Sequence, residues 1–279
     1  MRHPLPVEAA LVLLLYALYE TSRGLVGGDP SVASRHAQDI VSVERGLHVF
    51  VEGDVQDAAR TVPGLIGTLG ILYLTLHLAV TGGYLLWLHR RRPAAFPVVR
   101  TTLLVASGLA LIGHLAFPTA PPRLAGIGIV DTVSNAHIDL NKGLISSLYN
   151  PFAAVPSMHI GYAVVVGGSL LHCGGRRALR VLGTLYPALV LLAIVATGNH
   201  FLFDAVTGAV VAGVAAPAAL LLTQQAPSRS SGVFTSGSYY AAPIRFSCPA
   251  HSRSRSTNFW TLPVDVFGNG PNSISSGHL

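Results

Sequence analysis

Long apolar stretches with short polar interruptions dominate the chain. Residues 61–89, 101–122, 143–175 and 181–228 carry no formal charge except Asp204. Each can hold a helix of about 20 residues, the length that crosses a hydrocarbon core of roughly 30 Å. The pattern predicts six spans, at about 7–24, 63–88, 101–117, 156–172, 179–197 and 201–223. After the first apolar run no small-residue cleavage site follows; Glu20 and Arg23 come instead. At i and i+3 they can pair on one face near the membrane edge, or each can snorkel to the interface. Residues 35–60 read as an amphipathic helix at the outer interface. From about residue 226 the chain turns to Ser, Pro, Gly and Arg, a composition that cannot bury enough apolar surface to fold alone. The expected fold class is therefore all-α, a polytopic membrane six-helix bundle over residues 1–225 with a disordered cytoplasmic tail, 226–279.

Composition agrees with lipid as the solvent. Of 279 residues 51% are hydrophobic and 11% charged, against roughly 25% charged in ordinary soluble domains. The net charge of +6 does not imply nucleic acid, because the basic residues lie in short clusters beside apolar spans. Those clusters act as topology signals, since Lys and Arg are retained on the cytoplasmic side of short loops. His89-Arg90-Arg91-Arg92 with Arg100, and Arg176-Arg177 with Arg180, mark two cytoplasmic loops. The acidic stretch Asp29, Asp39, Glu44, Glu52, Asp54 and Asp57, and the later Asp131 and Asp139, then fall outside, and both termini fall inside. With only Cys173 and Cys248, one near a helix end and one in the tail, neither a disulfide framework nor a zinc site is expected.

Three motifs on the outer side carry candidate chemistry. Asp204 is the single charge in a 48-residue apolar stretch, and His200 precedes it by four residues, so the two can share a helix face and hydrogen-bond. A carboxylate on one imidazole nitrogen leaves the other basic, the arrangement of an oriented nucleophile or base; a structural pair closing a helix start is the plain alternative. His159 follows Pro156-Ser157-Met158 at the opening of the fourth span. Free N–H groups around Ser157 to His159 at a positive helix end suit a phosphate, although a capping Ser beside a helix-end His accounts for the same residues. Pro118-Thr119-Ala120-Pro121-Pro122-Arg123 ends the third span. It places Arg123 on a stiff turn, either to clamp a phosphate through two parallel hydrogen bonds or to touch lipid head groups. Tyr19, Glu20, Arg23 and Asn150 are head-group candidates, with packing or turn formation as the alternative. His114 reads as an interhelical histidine, and His77 and His172 as packing or interfacial groups.

Taken together, Pro118–Arg123, Asn150-Pro151-Phe152-Ala153-Ala154-Val155-Pro156-Ser157-Met158-His159, and Thr197-Gly198-Asn199-His200 with Asp204 resemble the type 2 phosphatidic acid phosphatase superfamily. The closer likeness is to the branch that includes the fungal inositol phosphorylceramide synthase, over about residues 10–220. The resemblance implies a six-helix bundle and metal-independent phosphoryl chemistry without a cofactor. By position it makes His200 the nucleophile that forms a phosphohistidine, Asp204 its orienting carboxylate, and His159 the acid that protonates the leaving alcohol. The chain departs from the phosphatases of the superfamily in two places. Their Ser-Arg six or seven residues before the nucleophile is Ala193-Ile194 here, and no Lys-x6-Arg-Pro motif ends the third span.

The expected function is a membrane enzyme acting on a lipid-linked phosphoryl head group at the outer face of the cytoplasmic membrane, with membrane lipids as substrate and acceptor and phosphoinositol-type transfer preferred. Lipid phosphate hydrolysis is the near alternative. A lipid or ion transporter with His159, His200 and Asp204 as a proton relay is the alternative of another class.

Overall fold

The computed structural model describes residues 4–25, 29–133, 150–173 and 175–224, all within the first of two units into which the chain divides, 1–231. The tail assigned above to 226–279 lies outside the described residues. Among the described residues there are eight α-helices: α1 (Leu5–Leu25), α2 (Pro30–Gly46), α3 (Glu52–Thr61), α4 (Leu65–Arg91), α5 (Phe96–Ala116), α6 (Met158–Cys173), α7 (Arg177–Ala196) and α8 (Leu202–Gln224). A 3-10 turn, Pro122–Leu124, lies between α5 and α6.

All six predicted spans are found as helices among the described residues, with unequal lengths. Five helices, α1, α4, α5, α7 and α8, are long and apolar enough to cross a membrane, whereas α6 is apolar but has only 16 residues. At 1.5 Å per residue α6 is about 24 Å long, short of a roughly 30 Å hydrocarbon core. The amphipathic segment is corrected: it is two helices, α2 and α3, and both turn residues inward. Ala33, Ala37, Ile40, Val41 and Glu44 of α2 are buried, as are Glu52, Gln56 and Ala59 of α3.

The helix limits follow local chemistry. Asp29 caps α2 by accepting the Ser31 N–H at 2.8 Å, and Pro30 opens the helix. That capping bond holds the Asp29 carboxyl below the usual range. The α5 helix stops at Phe117, before Pro118. Pro187 and Pro217 lie inside α7 and α8, as helices packed within a membrane bundle tolerate. Gly167 and Gly183 let α6 and α7 approach closely, since a Cβ on Gly167 would stand 2.4 Å from the Gly183 carbonyl oxygen.

The packing places the α6–α7–α8 group at the centre, with α5 against α8 and α4 against α7. Leu13, Leu14, Ile71, Ile112, Leu185, Val206 and Val210 are exposed on the outside, a surface suited to lipid and costly in water. Glu8 of α1 pairs with Arg100 of α5, tying the peripheral first helix to the bundle. The two basic loops lie at one end: a Cβ on Gly175, after α6, would stand 3.3 Å from an Arg92 guanidinium nitrogen, after α4. The candidate site occupies the other end, where α2 grips the turns after α5. His36 Nδ1 hydrogen-bonds the Pro118 carbonyl (2.7 Å) and Gln38 donates to the Ala125 carbonyl (2.8 Å).

Candidate active site

The turn between α7 and α8 fixes His200. Gly198 takes φ +68°, a left-handed conformation natural to glycine after a helix end. The N–H groups of Asn199 and His200 then both reach the Ile194 carbonyl, at 3.0 and 3.2 Å. Gln56 of α3 braces the same turn, donating to the Ala196 carbonyl (3.1 Å) and bonding both polar groups of Val130 (2.8 and 3.0 Å). His200 Nδ1 donates to Asp204 Oδ2 at 3.2 Å, and that oxygen also accepts the Phe201 N–H at 2.9 Å. Asp204 is completely buried. The two readings of this pair are therefore not exclusive, because the carboxylate closes the start of α8 and orients the imidazole at once.

His159 faces His200 from the first turn of α6, with ring centres 5.5 Å apart. Its ring stacks on Tyr73 of α4 at 4.5 Å and meets His77, one turn further along α4, edge-on at 4.3 Å. Below it, His114 bonds the Val155 carbonyl through Nδ1 (2.8 Å), and Tyr19 OH lies 3.3 Å from its Nε2. His114 is thus the interhelical histidine its sequence context suggests. A cavity runs between these groups, lined by Tyr16, Tyr19 and Glu20 from α1, Tyr73 and His77 from α4, and His114 from α5. Asn150, His159, Tyr162, Asn199 and His200 complete it.

The remaining predicted residues divide. Tyr19, Glu20 and Asn150 line the cavity, and Asn150 also closes a turn by accepting the Phe152 N–H at 2.9 Å. Arg23 belongs to α1, but its side chain lies outside the described residues. Arg123 differs from the expected surface clamp: its side chain is fully buried, donating through Nε to Asn199 Oδ1 (2.9 Å) and lying 3.4 Å from Asp131 Oδ2. Asn199, its partner, lines the cavity. Ser157 is also fully buried. Its N–H, one of the donors offered above to an anion, is taken by the Asp204 main-chain carbonyl at 3.0 Å.

Sequence reasoning missed Tyr73, Tyr16 and Asn199, gave His77 a packing or interfacial role, and took Glu44 and Glu52 for loop markers. Tyr73 and His77 had a readable signal, two polar-tipped rings at i, i+4 in an otherwise apolar helix. The glutamates did not. Glu52 accepts the Leu202 N–H (2.9 Å) and Glu44 the Phe203 N–H (2.7 Å), bonds that span about 150 residues and cannot be read from local spacing. Burial, with the carboxylates of Glu52 and Asp204 nearby, pushes the Glu44 carboxyl up to about 8.

No group of three or more His, Cys, Asp or Glu side chains among the described residues is placed to hold a metal ion. Chemically the cavity offers two imidazoles close enough to act on the two ends of one P–O bond, one of them fixed by a carboxylate. No curated protein and no solved structure matches the chain. The sequence model of the PAP2 superfamily matches residues 38–218, a stretch that contains His159, His200 and Asp204, and the chain belongs to the PAP2 superfamily.

Proposed function

We propose that this protein is an integral membrane enzyme that transfers a lipid-linked phosphoryl head group, of phosphoinositol type, to a second lipid alcohol. The observation that carries the reading is the juxtaposition of His159 and His200 across one cavity, with Asp204 bonded to His200.

With Nδ1–H given to Asp204, the lone pair of His200 resides on Nε2. It attacks phosphorus, the bond from phosphorus to the leaving lipid alcohol breaks, and protonated His159 gives its proton to that departing oxygen. Neutral His159 then takes the proton of an incoming lipid hydroxyl, whose oxygen attacks phosphorus as the P–N bond breaks, returning both histidines to their starting states. General acid–base help of this kind contributes roughly 10²–10⁴-fold. Side chains carry both steps in this reading, without metal or cofactor, as the family likeness implies.

Arg123 adds positive charge behind Asn199 rather than clamping the phosphate directly, and Ser157 contributes through the positive end of α6. Tyr19, Glu20, Asn150 and Arg23 are assigned to the head group. The positive-inside rule puts the end with the basic loops in the cytoplasm and the cavity on the extracytoplasmic side of the plasma membrane.

The test uses purified protein in vesicles containing phosphatidylinositol labelled in its inositol ring, with ceramide as acceptor. Label in a new lipid, together with acid-labile phosphate bound to the protein, supports transfer. Water-soluble labelled inositol phosphate alone replaces transfer by hydrolysis. Labelled lipid that crosses the bilayer uncleaved overturns the enzyme reading in favour of transport.

A further inference from the structure

The first three free N–H groups of the α8 start each meet a carboxylate from a different element. Phe201 bonds Asp204 of α8 itself (2.9 Å), Leu202 bonds Glu52 of α3 (2.9 Å), and Phe203 bonds Glu44 of α2 (2.7 Å). Glu44 is 2% exposed, and Glu52 and Asp204 are 0% exposed. Three acids buried side by side exceed what one helix end needs, since its partial positive charge offsets about half an elementary charge.

Each of the three acids also has one buried oxygen, Oε2 of Glu44 and Glu52 and Oδ1 of Asp204, without a hydrogen-bond partner among the described residues. A buried carboxylate oxygen left in that condition is costly. The two glutamate carboxylates accept from the N–H groups of consecutive residues, Leu202 and Phe203, so one proton between the two Oε2 atoms satisfies both at once.

We propose that Glu44 and Glu52 share a single proton and act as a positioning pair that holds the first turn of α8 while leaving the negative charge of Asp204 free to orient His200. The proposal rests on the reading of His200 as nucleophile. The titratable groups facing the pair are Asp204 from α8 and, through it, His200 in the preceding turn. If all three acids were ionised, their mutual repulsion would favour protonation of one of them. A proton on Asp204 would remove the charge that the imidazole needs as it becomes a cation. A proton held between the glutamates prevents that, and their two N–H bonds fix the point at which α8 begins, and hence the placement of His200 four residues before the end of that turn's acid.

The experiment compares wild type, Glu44→Gln and Glu44→Ala as full-length protein in lipid nanodiscs. Infrared spectra at neutral pH should show a protonated-carboxyl C=O band, shifted in D2O, in wild type and in His200→Ala, and no such band in Glu44→Gln. With labelled phosphatidylinositol, Glu44→Ala should lower kcat about tenfold at nearly constant KM, the loss of one hydrogen bond's worth of positioning. Glu44→Gln should recover kcat to within about threefold of wild type, because its amide N–H donates where the shared proton did. A structural cap alone would give no protonated-carboxyl band. Absence of that band in wild type overturns the shared proton whatever the turnover; equal loss of kcat in Glu44→Gln and Glu44→Ala, or none in Glu44→Ala, overturns the positioning role. A wild type with the band but no bound phosphate and no cleaved lipid overturns the functional reading instead.

Discussion

The two cavity histidines are held by different means. His200 sits in a turn fixed by main-chain bonds to Ile194, by Gln56 bracing Ala196, and by a buried carboxylate on Nδ1. His159 sits in the first turn of a helix, stacked on the face of Tyr73 and edge-on to His77. A nucleophile needs one tautomer and one direction of approach, which hydrogen bonds supply. An acid that gives a proton to one alcohol and takes one from another needs the ring in place while both charge states remain accessible, and stacking on an aromatic face serves both, the cationic form included.

The contrast can be broken most decisively by removing each ring. His200→Ala should abolish bound phosphate and lower turnover on the order of 10⁴-fold or more. His159→Ala should cost roughly 10²–10⁴-fold with the lipid substrate, yet still accumulate phosphate on the protein from a substrate whose leaving group needs no proton, such as a p-nitrophenyl phosphodiester. Acid-quench labelling of both variants decides it, and the roles are reversed if His159→Ala is the one that fails to label.

Asp204→Asn sharpens the same comparison at a smaller scale. The amide keeps the size of the side chain but loses the charge, so turnover should fall on the order of 10³-fold, with the His159 side of the pH profile unchanged. Smaller again, Tyr73→Leu removes the stack under His159. A ring pair contributes about 0.5–1.5 kcal/mol, so turnover should drop by roughly threefold to tenfold while labelling of His200 survives.

The least of the effects concerns stability. Glu44 binds its proton more tightly in the folded chain than its ordinary value of 4.5 implies, so its stabilising contribution is complete below that value and is lost as pH rises through about 8. Thermal unfolding in detergent should therefore weaken across that window, and Glu44→Gln should flatten the trend. A wild-type melting temperature that rises between those limits would contradict the assignment.

What the sequence disclosed of all this follows the range of the interactions. The helical spans were legible because a charge-free run of that length has few other uses, and the His200–Asp204 pair because i and i+4 share a face. The short fourth span, 156–172, was legible too and falls closely on Met158–Cys173. Arg123 was read as a surface group because a Pro-rich turn suggests exposure, whereas its burial depends on Asn199 and Asp131. Glu44 and Glu52 looked like their acidic neighbours Asp39 and Asp54, and only the return of α8 against α2 and α3 separates them.

The position of Tyr73 has one more consequence. It lies eight residues into α4 from Leu65, about 12 Å along the helix axis, and its ring stacks on His159. The candidate cavity therefore lies well below the end of the longest helix, in a recess rather than on a rim. Substrates anchored by their own acyl chains can enter such a recess sideways, sliding between helices without leaving the leaflet, whereas water must descend from above. In the proposed reaction, that difference in route would favour a lipid hydroxyl over water as the acceptor.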